Sequence, residues 1–104
     1  MTPCLRARPE RGRIWHSKPA GQTPLTALGL AVLAERAGLP LGVLSIITGP
    51  SGEIGKELTT NPLVKAVSFT GSTEVGKEIM RQCAGTVKKV GLELGGNAPF
   101  LVFD

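Results

Sequence analysis

Short apolar runs alternate with helix-forming segments along this 104-residue chain, and that alternation constrains the fold more than any other feature. Four runs have the β-branched or aromatic content typical of strands. They lie at residues 43–48, 66–69, 87–94 and 100–103. Helices are predicted at residues 24–37, 53–60 and 73–84. Strands joined by helices of this length form parallel βαβ units. The order therefore predicts an α/β fold, a partial doubly wound (Rossmann-like) parallel sheet.

The segment before the first helix is a poor candidate for a strand. Residues 11–17 lack the pattern of one, so the sheet is expected to lack an inner strand, at a cost in stability. The helix itself is predicted to begin with Thr23 as its N-cap and Pro24 in its first position. Apolar residues cover most of its circumference, which predicts burial on more than one side.

The excess positive charge is confined to the amino terminus. The net charge is +4, and in residues 1–18 five basic residues against one acidic residue account for all of it. No run of aromatic residues accompanies the arginines, which disfavours nucleic-acid binding. We expect residues 1–17 to be a basic, disordered tail and residues 18–104 to be the folded part. No nucleic-acid partner is predicted.

Two cysteines bear on the redox environment. Cys4 and Cys83 have no metal-ligand spacing and form no disulfide framework, which favours a reducing, cytoplasmic setting without a bound metal. Cys83 shares a predicted helix face with Val75 and Ile79, which indicates a buried core thiol. No apolar run approaches the ~20 residues that span a bilayer, so no membrane partner is expected.

A glycine-containing turn at residues 69–76 (FTGSTEVG) joins a predicted strand to a predicted helix. Free backbone N–H groups at a helix start bind phosphate, and Gly71 would let the backbone approach one closely. The alternative is an ordinary helix start capped by Ser72. The residue pattern leaves both interpretations open.

Glu93 lies in an apolar strand just before the double-glycine turn of residues 92–99 (LELGGNAP). Folds of the α/β class bind ligands at the carboxyl ends of their strands, and a carboxylate partly withdrawn from water there suits general-base catalysis. The alternative is a glutamate on an edge strand that faces water. The residues alone favour neither.

Three motifs occur in an order that resembles the aldehyde dehydrogenase superfamily. They are residues 18–24 (KPAGQTP), 69–73 (FTGST) and 92–99. The last is similar to the glutamic-acid active-site signature of that family, and the resemblance covers residues 18–104. Within the family, the chain looks most like bacterial-type succinate-semialdehyde dehydrogenases.

The resemblance implies a role for five residues. Lys18 would hydrogen-bond the adenosine ribose or its 2′-phosphate, and Gly55 would lie against the adenine. Ser72 would contact the pyrophosphate, and the backbone of Leu94 would meet the nicotinamide. Glu93 would activate the water that hydrolyses a thioester intermediate.

The cofactor implied by the resemblance is NADP or NAD. Many NAD-preferring relatives carry a glutamate at the position of Gly21, where it repels a 2′-phosphate, so its absence predicts acceptance of NADP+. The implied substrate is a small-molecule aldehyde, here succinate semialdehyde, which is oxidised to the acid. Full-length members of the family are expected to be homo-oligomers.

Two catalytic groups of the family find no counterpart in the sequence. One is the nucleophilic cysteine, which lies beyond the glutamate, and the other is the upstream asparagine that stabilises the oxyanion. Neither Cys83 nor Cys4 matches the nucleophile. We therefore expect a fragment of an aldehyde dehydrogenase that is inactive by itself. The alternative is a non-catalytic nucleotide-binding or subunit-pairing fragment.

Overall fold

The computed structural model describes residues 4–7 and 14–103, which form five strands and three helices. In chain order these are β1 (Cys4–Ala7), β2 (Ile14–Ser17), α1 (Leu25–Arg36), β3 (Leu44–Ile46), α2 (Ser51–Thr60), β4 (Ala66–Gly71), α3 (Thr73–Ala84) and β5 (Lys89–Leu94). The three predicted helices are confirmed. Three of the four predicted strands are also confirmed, with small shifts at their ends.

The strands form one sheet in the order β3-β2-β1-β4-β5. β2 pairs with β3 in parallel and β4 pairs with β5 in parallel, whereas β1 runs antiparallel to both of its neighbours. β2, β3, β4 and β5 therefore all point the same way, and their last residues lie at one edge of the sheet, called here the carboxyl edge. The predicted α/β fold with a partial parallel sheet is confirmed for these four strands, and β1, which comes from the predicted tail, is antiparallel to its neighbours.

Two of the three inner strands of the sheet, β1 and β2, come from the segment expected to be a disordered tail. Ile14–Ser17 pairs with β3 on one side and β1 on the other, and β1 lies between β2 and β4. The predictions of disorder in these strands and of a missing inner strand are therefore wrong. Backbone pairing with distant segments holds such short strands, and it leaves little trace in the local residue pattern. The rest of the predicted tail, residues 1–3 and 8–13, lies outside the described residues.

The strand predicted at residues 100–103 is not formed. The described stretch 95–103 has neither helix nor strand, and Phe100 and Phe103 are 90% and 85% exposed. Apolar, β-branched composition favours a strand only where a neighbouring strand can pair with it.

Helix α1 differs from its prediction in burial. It lies wholly within the described residues, and none of its side chains is buried; Leu25 and Leu30 are 79% and 58% exposed. Pro24, not Thr23, precedes the first helical residue, and no side chain caps the helix. A helix that is apolar all round needs neighbours on several sides. In the described part of the chain the main element against which α1 packs is β3.

The core lies between α2, α3 and the half of the sheet formed by β4 and β5. Its buried residues are Leu58, Val64, Val67 and Cys83. Ile79 of α3 and Val90 of β5 pack around them. Cys83 is 2% exposed, which confirms the prediction of a core thiol.

Candidate functional site

The register of β4 and β5 brings two of the sequence motifs together at the carboxyl edge. Thr70 pairs with Glu93, and Gly71 pairs with Leu94. Just beyond the strands, Thr73 Oγ1 donates to the carbonyl of Gly95 at 3.3 Å. The FTGST turn and the LELGG segment therefore lie side by side.

Ser72 begins helix α3 as an N-cap. Its backbone is extended, and its Oγ accepts a hydrogen bond from the N–H of Val75 at 3.3 Å. The capped helix start is thus confirmed. The N–H groups of Thr73 and Glu74 have no acceptor within the helix, as is general for a first turn. Because Ser72 is exposed, these donors also suit an anion, and the predicted phosphate role of Ser72 stays a prediction.

Lys18 follows β2 directly and is buried, with 8% of its surface exposed. Its Nζ donates to Oγ of Ser51, the first residue of α2. Among the described residues this partner is a neutral hydroxyl. Buried charges in proteins are normally paired with an opposite charge. The Lys18 ammonium therefore suits an anionic or hydroxyl-bearing ligand at the carboxyl edge.

An apolar groove of about 180 Å³ runs between α2 and α3. Val67 and Phe69 of β4 form its floor, and Val75 lies on the α3 wall. On the α2 wall Gly52 and Gly55 expose backbone in place of side chains. An apolar groove with a glycine wall suits a flat ring, and the predicted contact of Gly55 with adenine stays a prediction.

Two glycines let large side chains pack beside this groove. A Cβ on Gly71 would lie 3.0 Å from Cε1 of Phe69, so the Phe69 ring occupies the space that a side chain would fill. A Cβ on Gly76 would lie 2.6 Å from Cδ2 of Leu94. Gly71 was predicted to admit a phosphate. The structure shows in addition that it makes room for the floor of the groove.

Glu93 is exposed near the end of β5, which has β4 as its one partner in the sheet. Of the two alternatives that the residue pattern leaves open, partial withdrawal of this carboxylate from water is not seen among the described residues. The alternative of an edge-strand glutamate facing water is what the structure shows. Leu94, with 36% exposure, follows at the carboxyl edge. Both residues lie at the edge where ligands of α/β folds bind.

Cys83 does not have the surroundings of a nucleophile. Burial raises the pKa of its thiol, and the nearby Lys88 ammonium opposes this only in part. The thiolate is the reactive form, so a buried, protonated thiol is inert. Lys88 Nζ donates to the carbonyl of Asn61 at 2.8 Å, and desolvation lowers the Lys88 pKa. The side chain of Cys4 lies outside the described residues.

Sequence reasoning missed a polar cluster at one end of the groove. Thr59 Oγ1 donates to Gln82 Oε1 and so joins α2 to α3. Gln82 Nε2 donates to Glu78 Oε1 at 2.8 Å. The spacing of Glu78 and Gln82, four residues apart on one helix, could have indicated their contact. The link to Thr59, 23 residues away, has no local signal. Ser51, the partner of Lys18, was missed for the same reason.

The described residues hold no group of three or more side chains suited to binding a metal ion. None of the described helices has the length and apolar character needed to cross a membrane.

Comparison with known proteins gives a consistent match. The model of the aldehyde dehydrogenase family matches residues 12–104, which begins inside the segment predicted to be unmatched. Three relatives are each 64% identical over 87 residues: a glutarate-semialdehyde dehydrogenase of Pseudomonas aeruginosa, a succinate-semialdehyde dehydrogenase (NADP+) of Escherichia coli and a 3-sulfolactaldehyde dehydrogenase of Pseudomonas putida. Each alignment covers 84% of this chain and 18% of the relative.

Solved structures agree with the sequence relatives. An NADP-dependent enzyme of E. coli matches with 62% identity and a TM-score of 0.79 over 81% of this chain and 18% of its own. A succinate-semialdehyde dehydrogenase from Burkholderia pseudomallei matches with 62% identity and a TM-score of 0.80 over 84% and 18%. The chain thus spans about 18% of the length of these relatives.

Proposed function

Because the chain belongs to the aldehyde dehydrogenase family, we propose that it is part of the cofactor-binding domain of an enzyme that oxidises an aldehyde to its acid with NAD(P)+. The observation that carries the proposal is the meeting of Lys18, Ser72 and Leu94 at one carboxyl edge, beside an apolar groove. The coenzyme of such an enzyme supplies a hydride acceptor when it is bound.

Each residue at this edge then has one task. The Lys18 ammonium binds the adenosine ribose or its 2′-phosphate, and the groove wall at Gly55 lies against the adenine. Ser72 and the free N–H groups after it bind the pyrophosphate. The backbone of Leu94 holds the nicotinamide end. Glu93, exposed in this chain, acts as the general base toward water in the complete enzyme.

Gly21 supports acceptance of NADP+. It is exposed, and no atom of the described residues lies within 4 Å of a Cβ placed there. A larger side chain would fit, so packing does not require glycine at this position. Without a carboxylate at residue 21, nothing there repels a 2′-phosphate from Lys18.

Titration calorimetry of the chain with NADP+ and with NAD+ tests this assignment. The chain is expected to bind NADP+, and Gly21→Glu is expected to weaken that binding by roughly tenfold or more through like-charge repulsion while sparing NAD+. Gly85→Glu is the matched control, because a Cβ at Gly85 also meets no described atom and the residue lies at the far end of α3. Equal weakening by both substitutions, or no binding by the unmodified chain, would contradict the assignment.

The names of the relatives support a class of substrate for the complete enzyme. Succinate semialdehyde, glutarate semialdehyde and 3-sulfolactaldehyde are all short aldehydes with an anionic group at the other end. We place the substrate in this class, with succinate semialdehyde as the specific candidate. The 104-residue chain is expected to show no aldehyde oxidation by itself, because Cys83 is buried and protonated.

Exposed apolar residues favour subunit pairing as a second, non-catalytic role. Leu25, Leu30 and Leu33 of α1 are each more than half exposed. Several large apolar side chains exposed on one helix are typical of an element that packs against another chain or domain.

A further inference from the structure

The groove between α2 and α3 has two unlike ends. Both helices follow strands that end at the carboxyl edge, so Ser51 and Val75, near their starts, lie toward that edge. Thr59 and Gln82, near the ends of the helices, lie toward the opposite side of the sheet. The hydrogen bond from Thr59 to Gln82 joins the two walls there. A flat ring that enters the groove from the carboxyl edge therefore points the side that enters first toward the polar end.

The polar end presents hydrogen-bond acceptors. Gln82 Nε2 donates to Glu78 Oε1 at 2.8 Å, which uses one of its two N–H groups and orients the carboxylate. Glu78 Oε2 pairs with Arg81. An ionised carboxylate has about four lone-pair sites, so Glu78 keeps acceptor capacity after these two contacts. Its side chain lines the groove and is 48% exposed, which places it at the rim where a ligand can reach it.

We propose that Glu78, oriented by Gln82, recognises the exocyclic amino group of an adenine ring in this groove and so selects adenine over a 6-oxopurine. The inference rests on the proposed function, in which the groove at Gly55 holds the adenine. A carboxylate oxygen accepts a hydrogen bond from an amino group but repels a carbonyl oxygen in the same place. The apolar floor and the glycine wall do not distinguish the two bases, because their rings have the same shape.

Calorimetric titration of the chain with NADP+ and with its hypoxanthine analogue, deamino-NADP+, tests the inference. The unmodified chain is expected to bind NADP+ roughly tenfold or more tightly, the effect of one hydrogen bond to a charged group. Glu78→Gln should bring the two affinities close together, because an amide can turn to offer either a donor or an acceptor. Glu35→Gln is the matched control: it makes the same change at an exposed residue of α1, outside the groove. Circular dichroism verifies that both variants keep the fold.

The outcomes distinguish the role of Glu78 from the proposed cofactor site as a whole. Equal affinity of the unmodified chain for both nucleotides would overturn the role of Glu78 and leave the cofactor site standing. Loss of discrimination in Glu35→Gln as well would assign the effect to net charge, which also overturns it. Failure of NADP+ to bind at all would contradict the proposed function and this inference with it.

Discussion

Replacing Ser17 with alanine is expected to stabilise the chain. Ser17 is 4% exposed at the end of β2, and its Oγ has no hydrogen-bond partner among the described residues. Its backbone carbonyl accepts from the N–H of Ile47 at 2.8 Å, so the ladder to β3 holds the residue whatever its side chain. A buried hydroxyl without a partner costs about 1–3 kcal/mol. Ser17→Ala removes the hydroxyl and keeps the backbone bond.

We expect the free energy of unfolding to rise by about 1 kcal/mol, near the lower end of that range, because alanine is depleted in strands. Small proteins lose about 1–3 kcal/mol of unfolding free energy per molar urea, so the urea midpoint should rise by roughly 0.3–1 M. Trp15, the chain's one tryptophan, lies in the same strand and reports unfolding through its fluorescence.

Ser68→Ala is the matched control for this experiment. Ser68 is exposed in β4, so its substitution should change the free energy of unfolding by less than about 0.5 kcal/mol. A midpoint for Ser17→Ala at or below that of the unmodified chain would refute the reasoning. That result would mean that the hydroxyl has a partner after all, such as a buried water molecule.

Two other substitutions test the groove and the core. Gly71→Ala places a methyl group against the Phe69 ring and should push the ring into the groove. The affinity for NADP+, measured by calorimetry, should then fall roughly tenfold. Unchanged affinity would count against the packing argument. Burial raises the pKa of Cys83 above its ordinary value of 9.0, so the protonated thiol stabilises the fold below pH 9.0 and this stabilisation is lost as the pH rises through the raised pKa. Cys83→Ala should therefore lose less stability than the unmodified chain between about pH 8 and about pH 10, as measured by urea midpoints, and equal losses would exclude this cause.

The parts of the site that could be predicted depend on neighbours in the chain. The start of α3 follows from the capping preference of Ser72, whose hydroxyl reaches the N–H of Val75 three residues on. The apolar runs of β4 and β5 end at glycine-containing turns, which places Glu93 and Leu94 at the end of a strand. The burial of Cys83 follows from helical spacing.

The remaining features depend on contacts between distant residues. Glu93 faces water because it shares the exposed face of β5 with Lys89 and Gly91, and no local pattern shows which face of a strand another element will cover. Ile14–Ser17 becomes a strand because β1 and β3 pair with it. The exposure of α1 has a similar origin, since its apolar residues suit a helix but β3 is the main element that covers them in the described chain.

Strand β1 contains none of the proposed cofactor residues, yet it sets the width of their site. Within the described part of the sheet it alone separates β2, which leads to Lys18, from β4, which leads to Ser72. Neighbouring strands lie about 4.8 Å apart, so one intervening strand spaces β2 and β4 at roughly 10 Å. Without it the two could pair directly, and the lysine would move one strand closer to the turn proposed to bind the pyrophosphate. The span available to the proposed dinucleotide thus depends on a four-residue strand that supplies none of the proposed contacts.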